Sequence, residues 1–240
     1  MCPWRRNGGI RIINGYVGIM SKHEYVIRNV GFCILIVILA GCGKVKLVKA
    51  DKIYPYVVPD AYLQYQPTHP QGVSKSLGHG LSVVLVQDLD GLVGDVKNKD
   101  LSAMNLTVEQ AYNTAVGNLE VLAKSGKIDI QFFPNGPQGK PFMLFGGHWS
   151  AATCILLPKL KEMAANNLGT ADVCICVPHR EAMIMFQKGD RTYRDAMRAM
   201  IKEKESDGSK PLTYELFTFG NSGVVPFQED QPTTESERIE

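Results

Sequence analysis

Residues Val173 to Phe186 read VCICVPHREAMIMF, and this segment is the strongest indication of the fold. Its two apolar runs, Val173 to Val177 and Ala182 to Phe186, each have the length of a strand and are rich in residues that favour strands. The short polar step between them has the length of a turn, so the segment predicts a hairpin. Asp190 follows as the N-cap of a helix over about 191–204.

Two earlier parts of the chain repeat this order of two strands and a helix. Their strands are 81–86 with 92–96 and 128–133 with 141–145, and their helices are 108–122 and about 149–167. Thr107 and Gln110 form a capping box at the start of the first helix, and Pro158 must kink the second helix or begin a new one. A last strand is expected over 212–219. Repeated ββα units predict an α+β fold in which helices cover one face of a mixed sheet.

An apolar run without charge covers residues 30–40, and Lys22 and Arg28 lie just before it. The run is too short for a membrane span, which needs roughly 20 apolar residues. Basic residues followed by a short apolar region are typical of a secretory signal. Met20 begins a segment of ordinary signal length, so residues 1–19 are either a misassigned start or a long basic region.

The run ends in Leu39-Ala40-Gly41-Cys42, which resembles the lipobox of bacterial lipoproteins at all four positions. The resemblance implies cleavage before Cys42 and attachment of lipid to the new N-terminal cysteine. The chain would then be held at the cell envelope, on the outer face of the inner membrane or on the outer membrane. The alternative is a signal-anchor helix with an incidental cysteine. Gly43 at the next position resembles the residues that accompany outer-membrane sorting.

The rest of the chain divides by composition. A signal peptide over 1–41 is followed by a lipid-anchored tether over 42–78, an α+β domain over 79–227 and a disordered tail over 228–240. The tether is assigned from its prolines, which oppose regular helix, although the tyrosines between them suggest that part of it lies against the domain. A chain that starts near Asp60 is therefore expected to fold.

The charge distribution gives no reason to propose nucleic-acid binding. The chain has 26 basic and 24 acidic residues, and residues 1–41 hold five of the basic and one of the acidic residues. From Cys42 onward the net charge is therefore −2. A nearly neutral body lacks the basic face that nucleic-acid binding requires.

Four short segments resemble the YtpQ-like family of bacterial proteins. They are GLSVVLVQD at 80–88, AVGNL at 115–119, AATCILLP at 151–158 and VPHRE at 177–181. The segments are spread over roughly residues 78–220, and their order and spacing carry the resemblance. The family has no established activity, so the resemblance implies a fold and no particular chemistry.

Three cysteines remain in the body besides the lipid-bearing Cys42. Cys174 and Cys176 lie two apart on a strand, and neither the zinc nor the thioredoxin spacing is present. Cys154 can form a disulfide with either of them if the domain is exported. The alternative is that all three are buried thiols, a common state for unpaired cysteine.

No motif identifies a catalytic, metal or cofactor site. The histidines lack the helical spacing of a zinc site, and no phosphate-binding loop is present, so no cofactor is expected. An envelope hydrolase is the alternative function, with polar groups near Asp88, Ser150 and His179 as its machinery. That function requires the three groups to meet around one pocket.

The turn His179-Arg180-Glu181, together with Asp88, is the candidate binding site. Hairpin tips often display binding residues, and Arg180 is suited to hold a carboxylate or phosphate. The alternative is a solvated ion pair between Arg180 and Glu181, which contributes little. The favoured prediction is a non-enzymatic, membrane-tethered module that binds an envelope protein or a small ligand.

Overall fold

Two antiparallel sheets and five α-helices make up the computed structural model, which describes residues 48–64, 74–89, 92–221 and 223–229. The strands are β1 Ile53–Pro59, β2 Lys75–Gly78, β3 Leu81–Asp88, β4 Val93–Asp95, β5 Asp129–Phe133, β6 Phe142–Gly146, β7 Val173–His179, β8 Ala182–Gln187, β9 Pro211–Gly220 and β10 Gly223–Pro226. The helices are α1 Asp60–Gln64, α2 Asn98–Ala103, α3 Val108–Lys124, α4 Leu160–Leu168 and α5 Arg191–Glu205, with 3-10 helices at Ala50–Lys52, Pro137–Gly139 and Ala151–Leu156. The predicted α+β class is confirmed. The predicted signal peptide and the predicted lipobox lie outside the described residues.

The smaller sheet has the strand order β1-β3-β2, and β4 also pairs with β3. β1 pairs with β3 along its full length, from Ile53 opposite Gln87 to Pro59 opposite Leu81. The predicted tether over 42–78 is therefore wrong at 53–59, where most residues are buried. The prolines do not prevent this strand because β1 lies at a sheet edge, where a missing N–H breaks no ladder.

The larger sheet has the order β10-β9-β7-β8-β6-β5, and every described pairing in it is antiparallel. The prediction of one mixed sheet is thus wrong. β7 is buried at all seven positions. A strand that is apolar at every position, as VCICV is, requires cover on both faces.

Helices lie on both faces of the larger sheet. The prediction that they all cover one face is therefore wrong. Val173, Ile175 and Val177 belong to a core that includes Leu160 of α4 and Cys154 of the 3-10 helix. The intervening residues of β7 point to the other face, where α5 contacts β7 and β9.

The helix caps follow the sequence closely. The Thr107 hydroxyl accepts a hydrogen bond from the Gln110 amide at 3.2 Å, and the Gln110 side chain accepts one from the Thr107 amide at 2.9 Å. The Asp190 carboxylate accepts from the Tyr193 amide at 2.8 Å and begins α5. The predicted helical segment over 149–167 is a 3-10 helix followed by α4, so of the two alternatives at Pro158 the start of a new helix is confirmed and the kink is not.

The C-terminal segment packs on α5, so the predicted disorder of 228–240 is wrong at its first residues. Glu229 Oε2 lies 2.6 Å from Nη2 of Arg194, and Glu229 Oε1 lies 2.6 Å from Nη2 of Arg198. Arg194 is only 4% exposed, so this carboxylate neutralises a buried charge. In the part of the chain that the structure describes, no helix is both long and apolar enough to cross a membrane.

Candidate binding site

Four aromatic residues and one arginine meet where the smaller sheet approaches the β7–β8 turn. We call this group the tyrosine–arginine cluster. Its members are Tyr54, Tyr56, Tyr62, Trp149 and Arg180.

The strand period places two of these tyrosines together. Tyr54 and Tyr56 of β1 are two residues apart, so their side chains share one face of the sheet. They lie opposite Val86 and Val84 of β3 in the register of the sheet. The valines form an apolar floor, and Tyr62 of α1 packs against it.

Trp149 completes the aromatic part of the cluster. Its ring contacts Tyr54 edge to face at 5.9 Å between centroids and Tyr56 at 5.4 Å. Such edge contacts each contribute about 0.5–1.5 kcal/mol beyond the area that they bury. Trp149 therefore joins β1 to the segment before the Ala151–Leu156 helix.

Arg180 lies between two tyrosine rings instead of projecting into solvent. Its Nη1 donates to the Tyr56 hydroxyl at 2.8 Å, and its Cζ lies 4.7 Å from the Tyr56 ring centroid and 5.7 Å from that of Tyr62. Its carbonyl accepts from the Ala152 amide at 3.1 Å. The side-chain Nε is buried and has no hydrogen-bond acceptor among the described residues.

The other two residues of the predicted turn site point elsewhere. His179 is 7% exposed, and its Nε2 lies 2.8 Å from Oε2 of Glu205 at the end of α5. Glu181 is exposed and accepts from the Ser209 hydroxyl at 3.1 Å. The alternative of a solvated Arg180–Glu181 pair is therefore wrong, because Arg180 lies against aromatic rings and Glu181 bonds to Ser209.

Asp88 ends β3 close to the cluster. Burial raises the pKa of Tyr54, and the Asp88 carboxylate adds to this effect while Lys52 opposes it. Burial also raises the pKa of Tyr62, with Asp95 adding to the effect and Arg180 opposing it. Both phenols therefore stay neutral at physiological pH and act as hydrogen-bonding groups and ring surfaces.

The three groups of the proposed hydrolase do not assemble as expected. Ser150 contacts His148, with 2.8 Å between its Oγ and Nδ1 of the ring, whereas His179 is engaged by Glu205. The Ser150 amide also donates to Nδ1 at 3.3 Å. Burial lowers the pKa of His148, and Asp88 partly opposes this. Ser150 is completely buried, so a substrate has no access to its hydroxyl.

All three body cysteines are buried free thiols. Cys154 lies on the face of the larger sheet covered by α4, whereas Cys174 and Cys176 point to the opposite face. The sheet separates them, so the disulfide alternative is wrong. Within the described residues, no group of three or more histidine, cysteine, aspartate or glutamate side chains is placed to hold a metal ion.

One pattern in the sequence indicated part of this cluster, but the neighbouring prolines led to a different interpretation. Tyr54 and Tyr56 alternate as strand residues do, but the prolines around them favoured a tether. Trp149 and Tyr62 are brought to Arg180 by contacts between segments distant in sequence, which no local period can indicate. No protein-family model matches this chain, and neither a curated protein nor a solved structure matches it.

Proposed function

We propose that this chain is a lipoprotein of the bacterial cell envelope, tethered to a membrane through Cys42. Its folded domain is a non-enzymatic module that binds a ligand bearing a carboxylate or phosphate at the tyrosine–arginine cluster. The tether is supported by the lipobox Leu39-Ala40-Gly41-Cys42, and Gly43 favours the outer membrane.

The binding proposal rests on one observation, which is that few of the hydrogen-bond donors of the Arg180 guanidinium have an acceptor among the described residues. Its single side-chain hydrogen bond within the described residues is the one from Nη1 to Tyr56. The opposite edge, Nε with Nη2, is the fork that binds carboxylate and phosphate with two parallel bonds. A buried donor without an acceptor costs about 1–3 kcal/mol. Nε is covered in the structure, so an anion removes this cost only once the side chains over Nε have moved aside.

The aromatic members of the cluster support the same proposal. Ligand sites in proteins combine aromatic walls with a few convergent polar groups. Tyr56 and Tyr62 hold the guanidinium in place before a ligand arrives, so less side-chain entropy is lost on binding.

Fluorescence of Trp149 tests anion binding directly, because cleavage before Cys42 removes Trp4 and leaves Trp149 as the single tryptophan. We expect inorganic phosphate or acetate to change its emission saturably. Arg180→Lys keeps the charge but loses the fork, so we expect the saturable change to disappear while the thermal midpoint stays near that of the wild type. Arg191→Lys on the exposed surface of α5 is the matched control. An unresponsive wild type, or an equal response in Arg180→Lys, contradicts anion binding.

Fatty-acid labelling tests the tether separately. The Cys42→Ser chain should not incorporate labelled palmitate and should accumulate as an uncleaved precursor. Normal labelling of that variant would remove the lipoprotein proposal and leave the binding proposal untouched.

A hydrolase remains the second candidate, because Ser150 and His148 are in hydrogen-bond contact and Asp88 acts on His148. A fluorophosphonate probe distinguishes it, since this reagent labels activated serines. We expect no labelling, given the burial of Ser150. Labelling of the wild type that Ser150→Ala abolishes would favour the hydrolase.

We also propose that three successive strand–strand–helix units organise the chain. The order β3-β4 before α2 and α3, β5-β6 before α4 and β7-β8 before α5 supports this division. The units are distributed over two sheets, so they are units of sequence order and not separate layers.

A further inference from the structure

β5 is the last strand of the larger sheet on one side, and no described strand pairs with its outer edge. Its residues Asp129, Gln131 and Phe132 are exposed, and the Phe132 side chain is 47% exposed. An edge strand presents unpaired backbone N–H and C=O groups, and natural proteins usually protect it with charge, proline or a covering segment. β5 carries one such charge, Asp129 at its first residue, but it also exposes an aromatic ring at Phe132.

The sequence of β5 is complementary to itself when a second copy runs antiparallel. With Gln131 opposite Gln131 of the second copy, Ile130 lies opposite Phe132 and Asp129 lies opposite Phe133. The first pairing sets a β-branched residue against an aromatic one, a stabilising cross-strand combination.

The charges agree with this register. Asp129 accepts a hydrogen bond from the Gln131 amide of its own strand, and in the register centred on Gln131 it faces Phe133 and not Asp129 of the second copy. Like charges directly opposite each other destabilise a strand pair, and this arrangement avoids them.

We propose that β5 pairs antiparallel with β5 of a second copy of this chain, centred on Gln131, so that the two larger sheets become one continuous sheet. A five-residue strand buries little surface compared with the interfaces of stable dimers, so the dimer is weak and best detected by trapping. No residue of β5 belongs to the tyrosine–arginine cluster, and the test of this pairing does not depend on ligand binding.

Disulfide trapping in the full-length chain, in membranes of cells that express it, tests both the contact and its register. Directly opposed residues have Cβ atoms about 4.5–5.5 Å apart, and diagonal ones about 7–8 Å. We expect Gln131→Cys to form a dimer on mild oxidation that runs above the background of wild type. Asp129→Cys alone should stay at background, and co-expressed Asp129→Cys and Phe133→Cys chains should form a mixed dimer.

Two further variants complete the test. Val121→Cys places a cysteine at another exposed apolar position, 67% exposed on α3, and should stay at background. Phe132→Lys added to Gln131→Cys should abolish the dimer, because lysine on an edge strand opposes pairing with a second chain. Absence of the Gln131→Cys dimer in a folded chain, or equal trapping of Val121→Cys, overturns the proposal.

Discussion

Burial governs the chemistry of the three body thiols. It raises the pKa of Cys154, Cys174 and Cys176 to about 12 in each case. Only the thiolate is strongly nucleophilic, and at neutral pH almost none is present. We expect the folded protein to leave all three unlabelled by a maleimide, and guanidinium chloride to expose all three to it.

Peptide mass spectrometry identifies the labelled positions. Rapid modification of Cys174 in the folded state would show that α5 opens readily from the sheet. Dithiothreitol should change nothing, because the folded domain holds no disulfide between these residues.

Glu229 gives a prediction with a defined direction in pH. Its hydrogen bond with Arg194, followed by that with Arg198, lowers its pKa below the ordinary value of 4.5. A carboxylate whose pKa is lowered by folding stabilises the protein above its unfolded pKa, and this contribution is lost as pH falls through the folded pKa. Glu229→Gln should therefore reduce stability by about 1–3 kcal/mol at neutral pH, as loss of a partner to a buried donor does.

Chemical denaturation at several pH values measures this effect. The difference between wild type and Glu229→Gln should shrink steadily as the pH drops below 4.5. Glu203→Gln, on an exposed part of α5, is the control and should match wild type. A difference that is constant with pH would mean that the ion pair contributes nothing.

Arg180 shows where prediction from sequence stops at the residue scale. A turn between two apolar strands predicted its place in the chain, and β7 and β8 confirm that place. Its partners Tyr56 and Tyr62 lie more than a hundred residues earlier. The contact of these tyrosines with Arg180 depends on how the two sheets pack, which no local sequence pattern indicates.

At the scale of helices and strands, α3 allows the most direct test of side-chain packing. Leu119 is fully buried and Val121 is 67% exposed on the same helix. Leu119→Ala should lower the free energy of unfolding by about 2–5 kcal/mol, and Val121→Ala should change it by no more than about 0.5 kcal/mol. Urea denaturation followed by circular dichroism measures both, and equal midpoints would contradict the packing of α3.

Helices with strong local signals were predictable, and elements that depend on tertiary contacts were not. α3 has a capping box and a clear apolar period, and it forms at the predicted place. The segment before Pro158 has helical residues, yet it forms a 3-10 helix that ends before Pro158 and is separate from α4. β1 was missed because its prolines are tolerated only at a sheet edge, and edge position is a property of the assembled sheet.

For the whole molecule, the place of β1 reverses the expectation that a chain starting near Asp60 folds. Removing 48–59 takes away a strand that pairs with β3 along its whole length and includes the buried residues Ile53, Val57 and Val58. A chain that starts at Asp60 should show no cooperative thermal transition. The matched chain that starts at Val48 should melt cooperatively.

Differential scanning calorimetry compares the two chains. A sharp transition in both, at similar temperatures, would show that β3 tolerates an open edge. If only the chain that starts at Val48 melts cooperatively, the cooperative unit includes β1 and begins at or before Ile53.

If the chain is lipidated at Cys42 as we propose, the early start of β1 would also limit how far the domain can move from the membrane. In a lipidated chain only residues 43–47 separate the acylated Cys42 from Val48, and the six residue steps from Cys42 to Val48 span at most roughly 20 Å. This connecting segment is shorter than the roughly 30 Å hydrocarbon thickness of a bilayer. Under that proposal the domain would stay within about 20 Å of the lipid headgroups, and a ligand of the proposed site would have to reach the membrane surface.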